Sequence, residues 1–230
     1  MVFFIFFFLF IFIALYCYRL KLFIDFPSFF KRGFKKIDNA FGVYCYCGKQ
    51  GSGKTYSSIK FLIENKLRFG YTIITNVHSF NVFPDTLYFD NFHDIMNFIL
   101  KLPQDEQKNY IIFYDEIFTL LEKSTRINKD ILSFLSQLRK RNIILVTTAQ
   151  EWLEINITFR RYVRFQVDCK MISIPITKSA LLVNCINDGY GLKWSNDENE
   201  YIAPRLTTKI MKGNKSIIDS YDTFETINVS

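Results

Sequence analysis

Cysteine is sparse and poorly placed for bonding. Five residues, at 17, 45, 47, 169 and 185, form no CxxC pair and leave one over, which argues against a disulfide framework and for reduced thiols in a cytosolic setting. Cys45 and Cys47 alternate with Tyr44 and Tyr46, as small core residues of a buried strand would. The two histidines, His78 and His93, have no Cys or His at ligand spacing, so no metal centre is expected of them. Glycine (9) and proline (5) are scarce while Phe (26) and Tyr (13) abound. That skew is what biased coding produces, and the aromatic count is not read as a binding surface. No charged side chain occurs from Met1 to Tyr18.

That uncharged run meets the threshold of about eighteen apolar residues for a bilayer-spanning helix. It has no basic start and no A-x-A-like site, which separates it from a cleaved secretory signal. Arg19, Lys21, Lys31, Arg32, Lys35 and Lys36 follow, and the positive-inside tendency puts the rest of the chain in the cytoplasm, of the host if the chain is viral. The expectation is therefore a single-pass membrane protein. It has a transmembrane helix over 1–20, a basic juxtamembrane linker over 21–38 whose segment Phe26–Lys36 lies along headgroups, and one domain over 39–230. About two hundred residues suit one full core and leave no room for a second large domain. The net charge of +7 calls for an acidic partner, either nucleic acid or an anionic membrane face.

The most informative stretch is GKQGSGKT, Gly48–Thr55, which matches G-x-x-x-x-G-K-[ST] in full. A short apolar strand, Phe41–Cys47, precedes it. A helical face of Ile59, Phe61, Leu62, Ile63 and Leu67 follows, and Gly70 supplies a stop. Strand, glycine loop and helix start let successive backbone N–H groups and the positive helix end surround a phosphate. Gly48, Lys49, Gln50, Gly51, Ser52, Gly53, Lys54, Thr55 and Tyr56 are the expected nucleotide-binding set. Lys54 would reach the β- and γ-phosphates, and Thr55 would hold Mg²⁺.

Hydrolysis also needs an acidic partner for the metal and a base for water. In NYIIFYDEIF, Asn109–Phe118, an unbroken apolar run from Tyr110 to Tyr114 reads as a strand buried on both faces, ending in Asp115 and Glu116. The carboxyl end of a central strand is where an open α/β sheet places its ligands. Asp115 is expected to serve the metal and Glu116 to act as base. Another strand, Tyr71–Val77, lies earlier in the chain. A helix over Lys129–Arg139 and a strand in Asn142–Glu151, ending in Thr147, Thr148 and Gln150, come later. This order resembles the P-loop branch with a glutamate beside the metal aspartate, the RecA/ASCE-like class, and no guanine-reading N-K-x-D is present. The fold expected is α/β, a mostly parallel sheet flanked by helices. Past Lys170, MISIPI and ALLVNCI read as strands and NDGYGLKWSNDENEY as a polar loop.

From Gln137 to Lys170 the chain resembles the FtsK/HerA superfamily of DNA-translocating and packaging ATPases. Within it, the Zot-like assembly ATPases of filamentous phages and the packaging ATPases of small DNA viruses look nearest. The terminal YDTFE, Tyr221–Glu225, is similar to a motif near the end of that core. The resemblance implies an ATP hydrolase using ATP and Mg²⁺, in which Gln150 senses the γ-phosphate and an arginine of the adjacent subunit, Arg160 or Arg161 by preference, completes the site. It implies a homo-oligomeric ring that binds DNA without reading sequence, with Arg139, Lys140, Arg141, Arg160, Arg161 and Arg164 available to touch phosphates. Membrane and capsid or coat proteins are its further expected partners. The function implied is a membrane-anchored motor for viral genome packaging or phage extrusion. The alternatives are a protein-export or morphogenesis factor and a membrane-tethered nucleotide switch.

Overall fold

Alternation along three strands sets the architecture. In β2 (Gly42–Cys47), Val43, Cys45 and Cys47 face one apolar cluster while Tyr44 and Tyr46 face another. Strand β5 (Tyr110–Tyr114) divides likewise, with Ile112 and Tyr114 on one side and Ile111 and Phe113 on the other. So does β6 (Ile144–Ala149), with Leu145 opposed to Ile144 and Val146. A strand apolar on both faces needs cover on both. Helix α2 (Lys54–Phe69) covers the tyrosine face through Ile59, Leu62 and Ile63. Helices α3 (Phe92–Lys101) and α4 (Lys129–Gln137) cover the cysteine face through Ile95, Met96, Ile99, Phe134 and Leu135.

The structure, a computed structural model, describes residues 2–19, 22–24, 41–117, 126–174 and 179–221. The headgroup segment Phe26–Lys36, Phe118 and Asp222–Glu225 lie outside them. The helix ends follow local chemistry. The side chains of Asn91 and Asn128 cap α3 and α4 by accepting from the N–H of Asp94 and Asp130. Gly70, at φ +71, closes α2 by donating its N–H to the Lys66 carbonyl at 2.9 Å.

Six further strands complete the main sheet: β1 (Leu22–Ile24), β3 (Thr72–Thr75), β4 (Leu87–Tyr88), β7 (Val163–Ile174), β8 (Ser179–Asp188) and β11 (Arg205–Lys212). The order is β1-β11-β8-β7-β2-β6-β5-β3-β4, and β8 alone runs against the rest. The mostly parallel α/β sheet expected from the sequence is thus present. The strand seated between the phosphate strand and the acidic strand is β6, which follows both in the chain, whereas β3 lies beyond β5.

Three expectations change. Among the described residues no helix is long and apolar enough to cross a membrane. Helix α1 (Val2–Arg19) has 18 residues and ends on a charged one; it rises about 27 Å at 1.5 Å per residue, under the roughly 30 Å of a hydrocarbon core. Part of the expected linker, Leu22–Ile24, is strand β1, paired in parallel with β11. The expected polar loop holds β9 (Lys193–Ser195) and β10 (Glu200–Ile202), an antiparallel pair. Three-residue strands give too few alternations for a sequence pattern to register. Their pairing draws on Trp194 packing edge-on against Tyr201, with ring centres 5.3 Å apart.

Ile144 of β6 is fully buried. Ile144→Ala should therefore lower stability by about 2–5 kcal/mol, measured as a reduced urea midpoint at unchanged m-value.

Candidate active site

Strands β2, β6, β5 and β3 are parallel neighbours, so their carboxyl ends open on one edge of the sheet. Register decides which residues meet there. Cys47 is level with Ala149 and Tyr114 with Thr147. The next residues out, Gly48 and Gln150 on one side and Asp115 and Thr148 on the other, are therefore neighbours. The Gly48 N–H donates to the carbonyls of both Ala149 and Gln150 at 3.2 Å. Gln150 thus stands beside the glycine loop with its side chain exposed.

The loop Gly48–Gly53 leads into α2 through Gly53, whose φ of +86 lies in the left-handed region, and no side chain caps the helix start. A Cβ at Gly53 would come within 2.4 Å of Leu182 Cδ2, and one at Gly48 within 2.7 Å of the Cys169 carbonyl. Strands β7 and β8 therefore wall the loop, and the glycines permit that approach. The Lys54 ammonium donates to the carbonyls of Gly48 at 2.8 Å and Lys49 at 3.2 Å. Ser52 Oγ is buried with no partner among the described residues. A glycine loop running into a helix start, an orphaned hydroxyl and a lysine folded over the loop fit a phosphate chain.

On β5, Asp115 is 9% exposed and Glu116 is exposed. The Thr148 hydroxyl joins them: it donates to Asp115 Oδ1 and accepts from the Glu116 N–H at 2.9 Å. From β3, Asn76 brackets the Asp115 backbone, its Oδ1 accepting from the Asp115 N–H at 2.8 Å and its amide donating to the Asp115 carbonyl at 3.3 Å. Glu116 sits at φ +55, a left-handed turn that stops the strand. Burial, more than the neighbouring Glu116 charge, raises the Asp115 pKa; the Thr148 hydrogen bond and the Lys54 ammonium pull it back. The strand register sets the glycine loop and the acidic pair at the same edge of the sheet, two strands apart. Asp115 and the half-buried Thr55 on the first turn of α2 form a donor set of the kind a hard divalent cation takes.

Tyr56, expected among the phosphate residues, is buried, and its hydroxyl accepts from the Asn214 N–H at 2.7 Å. It ties the loop to the chain's last strand and supports it from behind. Tyr221 packs on the same apolar cluster, and burial pushes its phenol up to about 12, with Tyr56 and Asp115 adding to the rise.

Arg160 is the main correction. It closes the short helix α5 (Ile157–Arg160), fully buried, donating to the Tyr201 carbonyl and to Glu200 Oε2, each at 2.9 Å. A guanidinium held in an internal ion pair does not reach into a neighbouring subunit. Its position was misjudged because a charge run such as Arg160-Arg161 does not reveal which member turns inward. Arg161 is exposed, at the opposite end of the sheet from Gly48, because Val163 pairs with Val43. Arg141 is engaged with Gln107 and Gln137, and Arg164 lies 4.1 Å from the Phe41 ring centre. Asn76 was missed, although a polar residue directly after the β-branched run TIIT was the available signal. Thr148 was noticed only as a strand end.

The family model described as Zonular occludens toxin (Zot) matches residues 42–194. No curated protein matches the chain by sequence. Among solved structures, the genome packaging NTPase B204 of Sulfolobus turreted icosahedral virus 2 in complex with sulfate is similar over 76% of this chain and 98% of its own, at 14% identity and TM-score 0.50. The same NTPase with ATP-gammaS matches over 74% of this chain and 100% of its own, again at 14% and 0.50. The N-terminal domain of zonular occludens toxin from Neisseria meningitidis aligns over 80% of this chain and 100% of its own, at 16% and 0.49.

The direction of the Asp115 shift gives a stability test. A carboxyl whose folded pKa is raised stabilises fully below its ordinary 3.8, and that contribution is lost as pH rises through the raised value. At neutral pH the burial of Asp115 therefore opposes folding. Asp115→Asn, which keeps an acceptor for Thr148, should raise Tm at pH 7 by about 2–4 °C for each kcal/mol recovered, with the gain vanishing toward pH 3 in a thermal-melt series.

Proposed function

Since the chain belongs to the Zonular occludens toxin (Zot) family, we propose that it is a P-loop ATP hydrolase working as a motor on DNA at a membrane, in viral genome packaging or phage assembly and extrusion. The observation that carries this reading is the register that brings the loop after β2, the acids after β5 and Gln150 after β6 to one edge of the sheet. The likeness in fold to an NTPase named for genome packaging supports the choice of substrate, as does the net charge of +7.

The chemistry follows from the residues. Lys54 exchanges the loop carbonyls for β- and γ-phosphate oxygens, and the loop N–H groups with the start of α2 hold the β-phosphate. Thr55 and Asp115 would hold Mg²⁺, which neutralises phosphate oxygens when bound. Glu116 orients a water in line with the γ-phosphate and takes its proton. Thr148 fixes the backbone of that glutamate, so its reach is set by β6. Gln150, bonded through its carbonyl to Gly48, donates or accepts at the γ-phosphate through a neutral amide and so distinguishes ATP from ADP. Arg161 is exposed but stands at the end of the sheet away from Gly48, so neither arginine of the expected pair is placed to complete a neighbour's nucleotide site.

Membrane attachment rests on α1. Phe4, Phe7, Phe8, Phe10 and Ile13 are all bare, Phe10 at 69% exposure, and at 3.6 residues per turn they lie on all sides of the helix. Such a helix is stable only inside lipid or a protein sheath. In this reading α1 is embedded in lipid without crossing it, with Arg19 snorkelling to the headgroups.

Two measurements test the reading. Glu116→Gln should retain ATP binding and lose hydrolysis by at least about a hundredfold, whereas Lys54→Ala should lose affinity; near-normal turnover by Glu116→Gln would remove Glu116 from its role. DNA added to the full chain in detergent should raise ATP turnover several-fold, and the rise should disappear at high salt. Stimulation by a coat protein with no response to DNA would favour a morphogenesis factor, and tight ATP binding with negligible turnover a switch.

A further inference from the structure

The end of the sheet opposite the nucleotide site has its own character. It is formed by the amino ends of β2, β5, β6 and β7, by the carboxyl ends of α2 and α3, and by the β9–β10 hairpin. Contacts run across it without a break. The guanidinium groups of Arg164 and Arg139 lie over the Phe41 ring at 4.1 and 5.4 Å, and the Tyr190 hydroxyl rests against Gly42. Arg141 bonds to Gln107, whose amide donates to the carbonyls of Leu102 at 2.6 Å and Leu100 at 3.2 Å. Asn142 donates to Asn109 at 2.8 Å and also bonds to Tyr71, whose ring meets Phe69 at 5.5 Å. Arg160 pins the hairpin here, and the Gly189 N–H donates to the Arg164 carbonyl at 3.1 Å.

Most of the large apolar side chains that are exposed outside α1 gather on this end: Leu67, Phe69, Leu100, Tyr190, Trp194 and Tyr201. Between them stand the exposed cations Lys101, Arg139, Lys140, Arg161 and Lys193. Its exposed acids are fewer: Asp105, which pairs with Lys108 at 3.6 Å, Glu106, and the hairpin-tip residues Asp197 and Glu198, while Glu200 is held by Arg160 and Asp188 accepts from the Tyr190 N–H. Bare aliphatics, amphipathic Tyr and Trp, and interspersed cations are the composition of a headgroup-facing surface, where rings sit at the level of the glycerol and each cation near an anionic leaflet adds attraction.

We infer that this basic and aromatic end of the sheet docks on an anionic lipid surface, with the nucleotide site turned toward the aqueous side. The inference builds on the membrane reading of α1 and adds an orientation. It moves Arg139, Lys140 and Arg161 from the nucleic-acid path to phospholipid phosphates. Electrostatic attraction and shallow insertion of Trp194 and Phe69 then hold the sheet upright on the bilayer. ATP, magnesium and a passing polymer approach from the opposite end.

Trp194 is the probe. The chain has two tryptophans, and the other, Trp152, is buried, so a Trp194→Phe variant supplies the background. The full chain is mixed with phosphatidylcholine vesicles made with and without phosphatidylglycerol; attachment is read by flotation, and Trp194 by emission wavelength and quenching from headgroup-labelled lipid. Flotation is expected on both vesicle types. The blue shift and quenching are expected only with phosphatidylglycerol and should be reversed in about 1 M salt, where the Debye length is about 3 Å. Arg139→Glu combined with Lys140→Glu should abolish the Trp194 response and leave flotation intact. Flotation with Trp194 emission unchanged on anionic vesicles overturns this orientation while leaving α1 as an anchor. A Trp194 response to DNA and none to vesicles also overturns it, and returns the face to nucleic acid. Failure to float on any vesicle removes the membrane reading itself.

Discussion

The backbone ladder that seats β6 between β2 and β5 is the constraint on which the site depends. Because Cys47 is level with Ala149 and Tyr114 with Thr147, the polar ends of three strands arrive at one height. A shift of one residue in β6 would turn Thr148 to the opposite face and bring Thr147 or Ala149 to its level, breaking the bridge from Asp115 to Glu116. The apolar residues beneath hold that register. Ile144 and Val146 can be buried under α2 only if Leu145 is buried on the other face, against the cluster that α3 and α4 supply. The hydrophobic pattern of the core thus aligns the hydrogen bonds of the catalytic edge.

At that edge the protein maintains a carboxylate under unfavourable conditions. Asp115 is almost removed from water, which raises its pKa, and few neighbours compensate: the Thr148 hydroxyl, the Lys54 ammonium and the Glu116 backbone N–H. A bound cation would supply what these do not. The same bridging hydroxyl sets the Glu116 backbone. The group proposed to hold the metal and the group proposed to handle water are thereby positioned by one side chain from a third strand. Stability is spent at this point for geometry, as expected where a site and not the core sets the residue choice.

The two ends of the sheet divide the work. The carboxyl ends collect glycines, acids and amides that suit a phosphate chain, while the amino ends collect arginines, lysines and exposed rings. Parallel strands make this separation unavoidable, because every crossover returns the chain to the same starting end, and loops at that end can differ freely from those at the other. In the proposed orientation the end against the bilayer leaves the nucleotide site in water. The burial of Arg160 serves this arrangement: its pair with Glu200 fixes the β9–β10 hairpin, which carries Trp194 and Tyr201.

Much of this was legible beforehand. The glycine loop, the buried strands Tyr110–Tyr114 and Ile144–Ala149, the helix start at Lys54 and the acids after β5 could all be read from local pattern, since period-two burial and the steric freedom of glycine act over a few residues. The family resemblance too was carried by contiguous motifs. What no local pattern contains is lateral order: that β6 and not β3 separates β2 from β5, that Thr148 and Asn76 close on Asp115, and that Arg160 turns inward while Arg161 faces water. The reason is that side-chain period and turn chemistry are set by neighbours along the chain, whereas strand order and ion pairing depend on free-energy differences among distant segments competing for the same partners.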